Sequence, residues 1–107
     1  KRQMGQKIDT AAFRAALAEK KTMVVDFYAD WCGPCRMLSS VMEALSEEMS
    51  DQATFVKVDV DADPDLAREY SIMNIPCVMV FKDGALSGRN VGFAPKDAMS
   101  DFIKKSI

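Results

Sequence analysis

The chain has 107 residues, 49% of them hydrophobic and 28% charged, with a net charge of −2. That size and balance suit a single domain, residues 1–107, able to bury roughly two-thirds of its unfolded surface. No basic run exceeds a pair, and no apolar run approaches the ~20 residues of a membrane helix, so neither nucleic acid nor a bilayer is expected as a partner.

The opening KRQMGQK is basic with no apolar stretch behind it, and is not expected to be an intact signal peptide. Met4 to Ile8 is a poor first strand. Asp9 or Thr10 can cap a helix beginning near Ala11, where Phe13, Ala16 and Leu17 recur at i, i+3, i+4. MVVDFYA, residues 23–29, is short, β-branched and almost wholly apolar, as expected of a strand covered on both faces. WCGPC follows, and then a helical stretch. Met37, Leu38, Val41, Met42, Leu45 and Met49 share one face of it, with Ser40, Glu43 and Glu47 opposite.

TFVKVDV, residues 54–60, alternates like a strand. Asp63 and Pro64 suit N-cap and N1 of a short helix through Tyr70. CVMVF, residues 77–81, is a second buried-type strand. Asp83-Gly84 predicts a turn, and LSGRNV, residues 86–91, its antiparallel return. Ala94-Pro95 opens a last helix with Ala98, Met99, Phe102 and Ile103 inward and Lys104 and Lys105 at its C-terminal dipole. The order βαβαβαββα predicts an α/β fold, a central mixed β-sheet flanked by helices on both faces.

Three roles are open to Cys32 and Cys35. A structural zinc site needs about four ligands, but the chain has no histidine and one further cysteine, Cys77. A structural disulfide would close a very short loop and stabilise little. A redox dithiol fits the position best, because the pair lies where a strand ends and a helix begins. Cys32 would then sit against unpaired N–H groups and the positive dipole end, which favour an anion. An unperturbed thiol with a pKa of about 8.5 is only about 3% ionised at pH 7, and one unit of lowering takes about 1.4 kcal/mol. A helix N-terminus with one hydrogen bond from Cys35 is of that size. Cys35, one turn on, could later resolve a mixed disulfide.

FYADWCGPCRM resembles the active-site segment of thioredoxins, and IPCVMVFKDG resembles their second signature around a cis-proline. The element order is similar to the thioredoxin fold over nearly the whole chain. The resemblance implies a disulfide reductase with Cys32 attacking, Cys35 resolving, and Gly33 and Pro34 between them. It implies that Pro76 is cis and leaves the Ile75 backbone to pair with an extended substrate. It also implies an apolar docking rim of Trp31, Gly33, Ile75, Pro76, Val91, Gly92 and Phe93, although Phe93 could equally be core.

Asp26 is the odd letter in its strand, since a buried charge is costly unless paired or neutralised. The resemblance makes it the proton acceptor for the second thiol and places Lys57 near it. It further implies recycling by a thioredoxin reductase, usually a flavoprotein drawing on NADPH, with disulfide-containing proteins as substrates and no bound cofactor. Gly33-Pro34 supplies no positive charge, which favours a reductant over an oxidase or isomerase. A binding or stabilising subunit independent of the thiols is the rival from another class. A monomer in the cytoplasm is expected, since three cysteines suit a reducing compartment.

Several positions depart from the family pattern. Tyr28 replaces a commoner tryptophan, and Ser40 stands where many members have a kinking proline. Asn74 replaces a frequent glycine, in keeping with asparagine's tolerance of left-handed backbone. Cys77 follows the proline where threonine is usual, and is expected to be a buried free thiol or a second redox centre. Asp59, Asp61, Asp63 and Asp65 are spaced like the start of a calcium loop, but the glycine and glutamate such a loop needs are missing.

Overall fold

A computed structural model describes residues 6–107. Five strands form one sheet in the order β1-β3-β2-β4-β5. The strands are β1 (Gln6–Lys7), β2 (Met23–Tyr28), β3 (Thr54–Asp59), β4 (Cys77–Lys82) and β5 (Ala85–Val91). Both β1 and β2 run parallel to β3, while β4 is antiparallel to β2 and to β5. The helices are α1 (Thr10–Ala18), α2 (Gly33–Glu48), α3 (Pro64–Glu69) and α4 (Lys96–Ser106). The element order is the expected one. Of the first strand expected over Met4–Ile8, Met4 and Gly5 lie outside the described residues.

Strand alternation divides the core into two layers. Met23, Val25, Phe27, Met79 and Phe81 pack with Phe13 of α1 and Leu66 of α3. Val24, Val78 and Val80 pack on the opposite face with Leu38, Met42 and Leu45 of α2 and Met99 and Ile103 of α4. The central strands β2 and β4 are thus covered on both sides, which is why their sequences are unbroken apolar runs. Phe13, Tyr70 and Phe81 meet edge to face, with centroids 5.3–5.9 Å apart. At the β4–β5 turn, Asp83 and Gly84 both carry positive φ, 56° and 83°. That is the backbone a two-residue hairpin requires, and the Asp-Gly pair supplies it.

Three expectations need correction. Met37 is 61% exposed and does not belong to the buried face of α2; at the first turn that face turns toward the Leu38 side. Asp63 stands at the N-cap of α3, but its side chain does not cap that helix. Instead its Oδ1 accepts from the backbone N and Oγ1 of Thr10, at 3.0 and 2.8 Å, while Asp9 caps α1 through the N–H of Ala12. In the loop before β4 the left-handed residue is Ser71, φ 53°, rather than Asn74. Between the two places open to Phe93, rim and core, its 42% exposure favours the surface.

Candidate functional site

Strand β2 ends at Tyr28, and three residues later Trp31 and Cys32 bring the chain to the start of α2. Cys32 is the N-cap residue, with extended backbone, and Pro34 occupies the first helical turn, where no N–H is needed. The N–H of Cys35 donates to Cys32 Sγ across 3.2 Å. The two cysteines form a disulfide, with Cα atoms 5.2 Å apart, and each is 4% exposed. One sulfur therefore sits among the free N–H groups of a 16-residue helix, where negative charge is favoured. Ala29, Tyr28, Val60 and Ile75 pack around the pair.

The loop into β4 supplies the opposite wall. Its Ile75–Pro76 peptide is cis, and the Ile75 carbonyl oxygen lies 3.9 Å from Cys32 Sγ. Pro76 is buried, and its carbonyl accepts from the N–H of Gly92 at 2.8 Å, which ties the end of β5 to this loop. Gly92 has φ 95°, a conformation that disfavours any side chain there. Val91 pairs with Cys77 and is 55% exposed.

Trp31 is 69% exposed, and its indole N–H donates to Asp61 at 2.8 Å. Trp31 and Ile75 line one groove of ≈ 280 Å³ with Val60, Ile72 and Met73. Val91 lines a separate pocket of ≈ 200 Å³ with Cys77 and Arg89, and the two hollows share Ile72 and Met73. Of the expected rim residues, Trp31 and Ile75 line one of these adjoining hollows and Val91 the other. Met73, 86% exposed, Ile72 and Asp61 are part of this surroundings and were not singled out by sequence. The aspartate-rich loop, spaced like a cation loop but lacking its glycine and glutamate, has other work. In fact Asp61 serves Trp31, and Asp59 accepts from the N–H groups of Asp61 and Ala62.

Asp26 follows Val24 on the α2 side of the sheet and is 5% exposed. Its Oδ1 has no hydrogen-bond donor among the described residues. Lys57 is its register partner on β3, and the Lys57 ammonium lies 5.0 Å from the centre of the Tyr28 ring. Burial pushes the Asp26 carboxyl from 3.8 to about 7, and Lys57 only partly opposes this. Asp26 lines a pocket of ≈ 10 Å³ with Ser39, Met42 and Glu43 of α2 and Phe55, Val56 and Lys57 of β3. Cys77 is 1% exposed, and burial pushes its thiol up.

Two sulfurs able to join and part, one of them beneath a helix dipole, define a thiol–disulfide oxidoreductase. The thioredoxin family model matches residues 5–105. Thioredoxin of Bacillus subtilis is 40% identical over 87% of this chain and 89% of its own. Thioredoxin of Mycoplasmoides gallisepticum is 43% identical over 82% and 87%. Oxidised mitochondrial thioredoxin 3 of Saccharomyces cerevisiae superimposes with a TM-score of 0.84 at 36% identity, covering 94% of each chain. Chloroplastic thioredoxin z gives 0.85 at 32% identity, covering 96% of this chain and 94% of its own. The chain belongs to the thioredoxin family and is, with it, a protein-disulfide reductase.

Proposed function

We propose that the chain reduces protein disulfides through Cys32 and Cys35 and is recycled by a thioredoxin reductase. The Cys32 thiolate attacks one sulfur of the substrate disulfide, forming a mixed disulfide and releasing the other sulfur as a thiolate, which takes a proton from water. Cys35 then gives its proton to Asp26 and attacks Cys32 Sγ. This closes the Cys32–Cys35 bond and frees the second substrate thiol. Two electrons pass from the enzyme dithiol to the substrate.

The observation that carries this reading is the 3.2 Å hydrogen bond from the Cys35 N–H to Cys32 Sγ at the start of α2. It offers the anion a donor already in place, so nothing need rearrange as charge develops. In this reading Pro76 shapes the wall beside the sulfur, and the Ile75 backbone pairs with an extended substrate segment. Trp31, Val91 and Gly92 flank that segment. Gly33 and Pro34 hold the two thiols one turn apart, and Lys57 tempers the charge on Asp26. Residues 1–107 act as one domain, and the cytoplasm is the compartment that suits the dithiol state.

A Cys35→Ser variant tests this. It is expected to accumulate covalent conjugates through Cys32, and the wild type is expected to precipitate reduced insulin chains in the presence of thioredoxin reductase and NADPH. Absence of both outcomes overturns the proposal. The reduction potential separates reductase from oxidase, since a value well above the glutathione couple is incompatible with a reductant.

A further inference from the structure

Asp26 Oδ1 is a buried acceptor with no donor from the described residues, and it faces a pocket of ≈ 10 Å³, the space of about one water. The walls of that pocket are mostly apolar: Met42, Phe55 and Val56. The polar groups lining it besides Asp26 are Ser39, Glu43 and Lys57. They differ in what they can do with a proton. Lys57 is a donor with no acceptor site, and its ammonium is held over Tyr28. Glu43 is exposed. A serine hydroxyl both donates and accepts, so of these groups only Ser39 is a neutral side chain that can hold a water in either sense.

Ser39 also has the right address. It follows Cys35 by four residues on α2, so the two are neighbours on one helix face. Helical side chains tilt toward the N-terminus, which leans Ser39 back toward the turn that carries Cys35. We propose that the Ser39 hydroxyl is a positioning residue that orients, in the pocket, the one water through which the Cys35 proton reaches Asp26. The proposal rests on the reading of Asp26 as proton acceptor given above.

The step balances. The Cys35 S–H bond breaks, its proton passes through the water that the Ser39 hydroxyl orients to the Asp26 carboxylate, and the electron pair stays on sulfur. The Cys35 thiolate then attacks Cys32 Sγ, breaking the Cys32–substrate bond, and the departing sulfur leaves as a thiolate. The charged and titratable groups around Asp26 are Lys57 from β3, Glu43 from α2, Tyr28 from β2 and Cys77 from β4.

The reduced full chain, mixed with the aromatic disulfide 5,5′-dithiobis(2-nitrobenzoate) in a stopped-flow cell, separates the two sulfur steps. The first burst of yellow thiolate reports attack by Cys32, and the second reports resolution by Cys35. Ser39→Ala preserves the helix, since alanine is the best helix former. It is expected to leave the first burst unchanged, to slow the second by about 2–10-fold, the worth of one hydrogen bond, and to move its acid midpoint. Ser39→Thr, which restores a hydroxyl, is expected to recover the wild-type rate and profile. Asp26→Asn, measured alongside, is expected to slow the second burst more than either. A second burst in Ser39→Ala with wild-type rate and pH profile, while Asp26→Asn is slow, overturns the role of Ser39 alone. A fast second burst in Asp26→Asn overturns the role of Asp26, and that of Ser39 with it.

Discussion

Asp26 and Lys57 stand directly opposite each other across β2 and β3, yet the carboxylate gains too little from this to offset its burial. Its Oδ1 receives no donor from the described residues, and the lysine's charge is shared with the Tyr28 ring. The pair is an electrostatic neighbourhood rather than a closed salt bridge.

The first prediction concerns stability. The folded Asp26 carboxyl titrates at about 7, against 3.8 ordinarily, so the folded state holds a proton that the unfolded chain has already lost between those values. Its contribution is fully present below pH 4 and disappears as the pH rises through 7, a difference of order 4 kcal/mol. Asp26→Ala is expected to be more stable than wild type at pH 8 by up to that amount, and to differ little near pH 4. Urea titrations at the two pH values measure this. Equal stabilisation at both would contradict it.

Asp63 links two distant parts of the chain by accepting both donors of Thr10. Asp63→Ala leaves the first turn of α1 without that acceptor and is expected to cost about 1–2 kcal/mol. Amide exchange at Thr10 should quicken in the variant, whereas a local capping role would have loosened α3 instead.

Asp61 holds the indole of Trp31 beside the groove. Asp61→Ala is expected to raise KM for insulin by roughly 2–10-fold, the equivalent of one charge-assisted hydrogen bond at an exposed site, with little change in kcat. A fall in kcat at constant KM would place Asp61 in the chemistry rather than in docking.

Cys77 is sealed within β4, and burial disfavours its thiolate. Iodoacetamide at pH 8 is expected to label reduced Cys32 within minutes and to leave Cys77 unlabelled until denaturant is added. Mass spectrometry of the peptides reads both sites, and early labelling of Cys77 would reveal a second reactive centre.

The parts of this fold that were legible in sequence are those governed by local patterns. MVVDFY and CVMVF announce strands covered on both faces, and Asp83-Gly84 announces its turn. The position of Cys32 and Cys35 at a strand–helix junction follows from an unbroken apolar run giving way to an apolar period of 3.6. What sequence could not supply are partners chosen by tertiary approach. Asp63 looks like the cap of its own helix, but Thr10 lies 53 residues away in the chain and close in space. Met37 matches the apolar period of α2, yet it is exposed while its neighbour Leu38 is fully buried, so the edge of the apolar stripe was not fixed by spacing. Met73 and Ile72 sit in a loop with no period to betray them, and their grouping with Trp31 depends on how α3 and the loop before β4 come together.

Trp31 is the sole tryptophan, largely open to water, one residue before a disulfide sulfur and hydrogen-bonded to a carboxylate. Disulfides quench nearby indole emission, so the chain carries its own optical gauge of oxidation state. Every change in its ultraviolet-excited tryptophan glow can be assigned to one ring, and electron transfer to a partner can be timed without a dye.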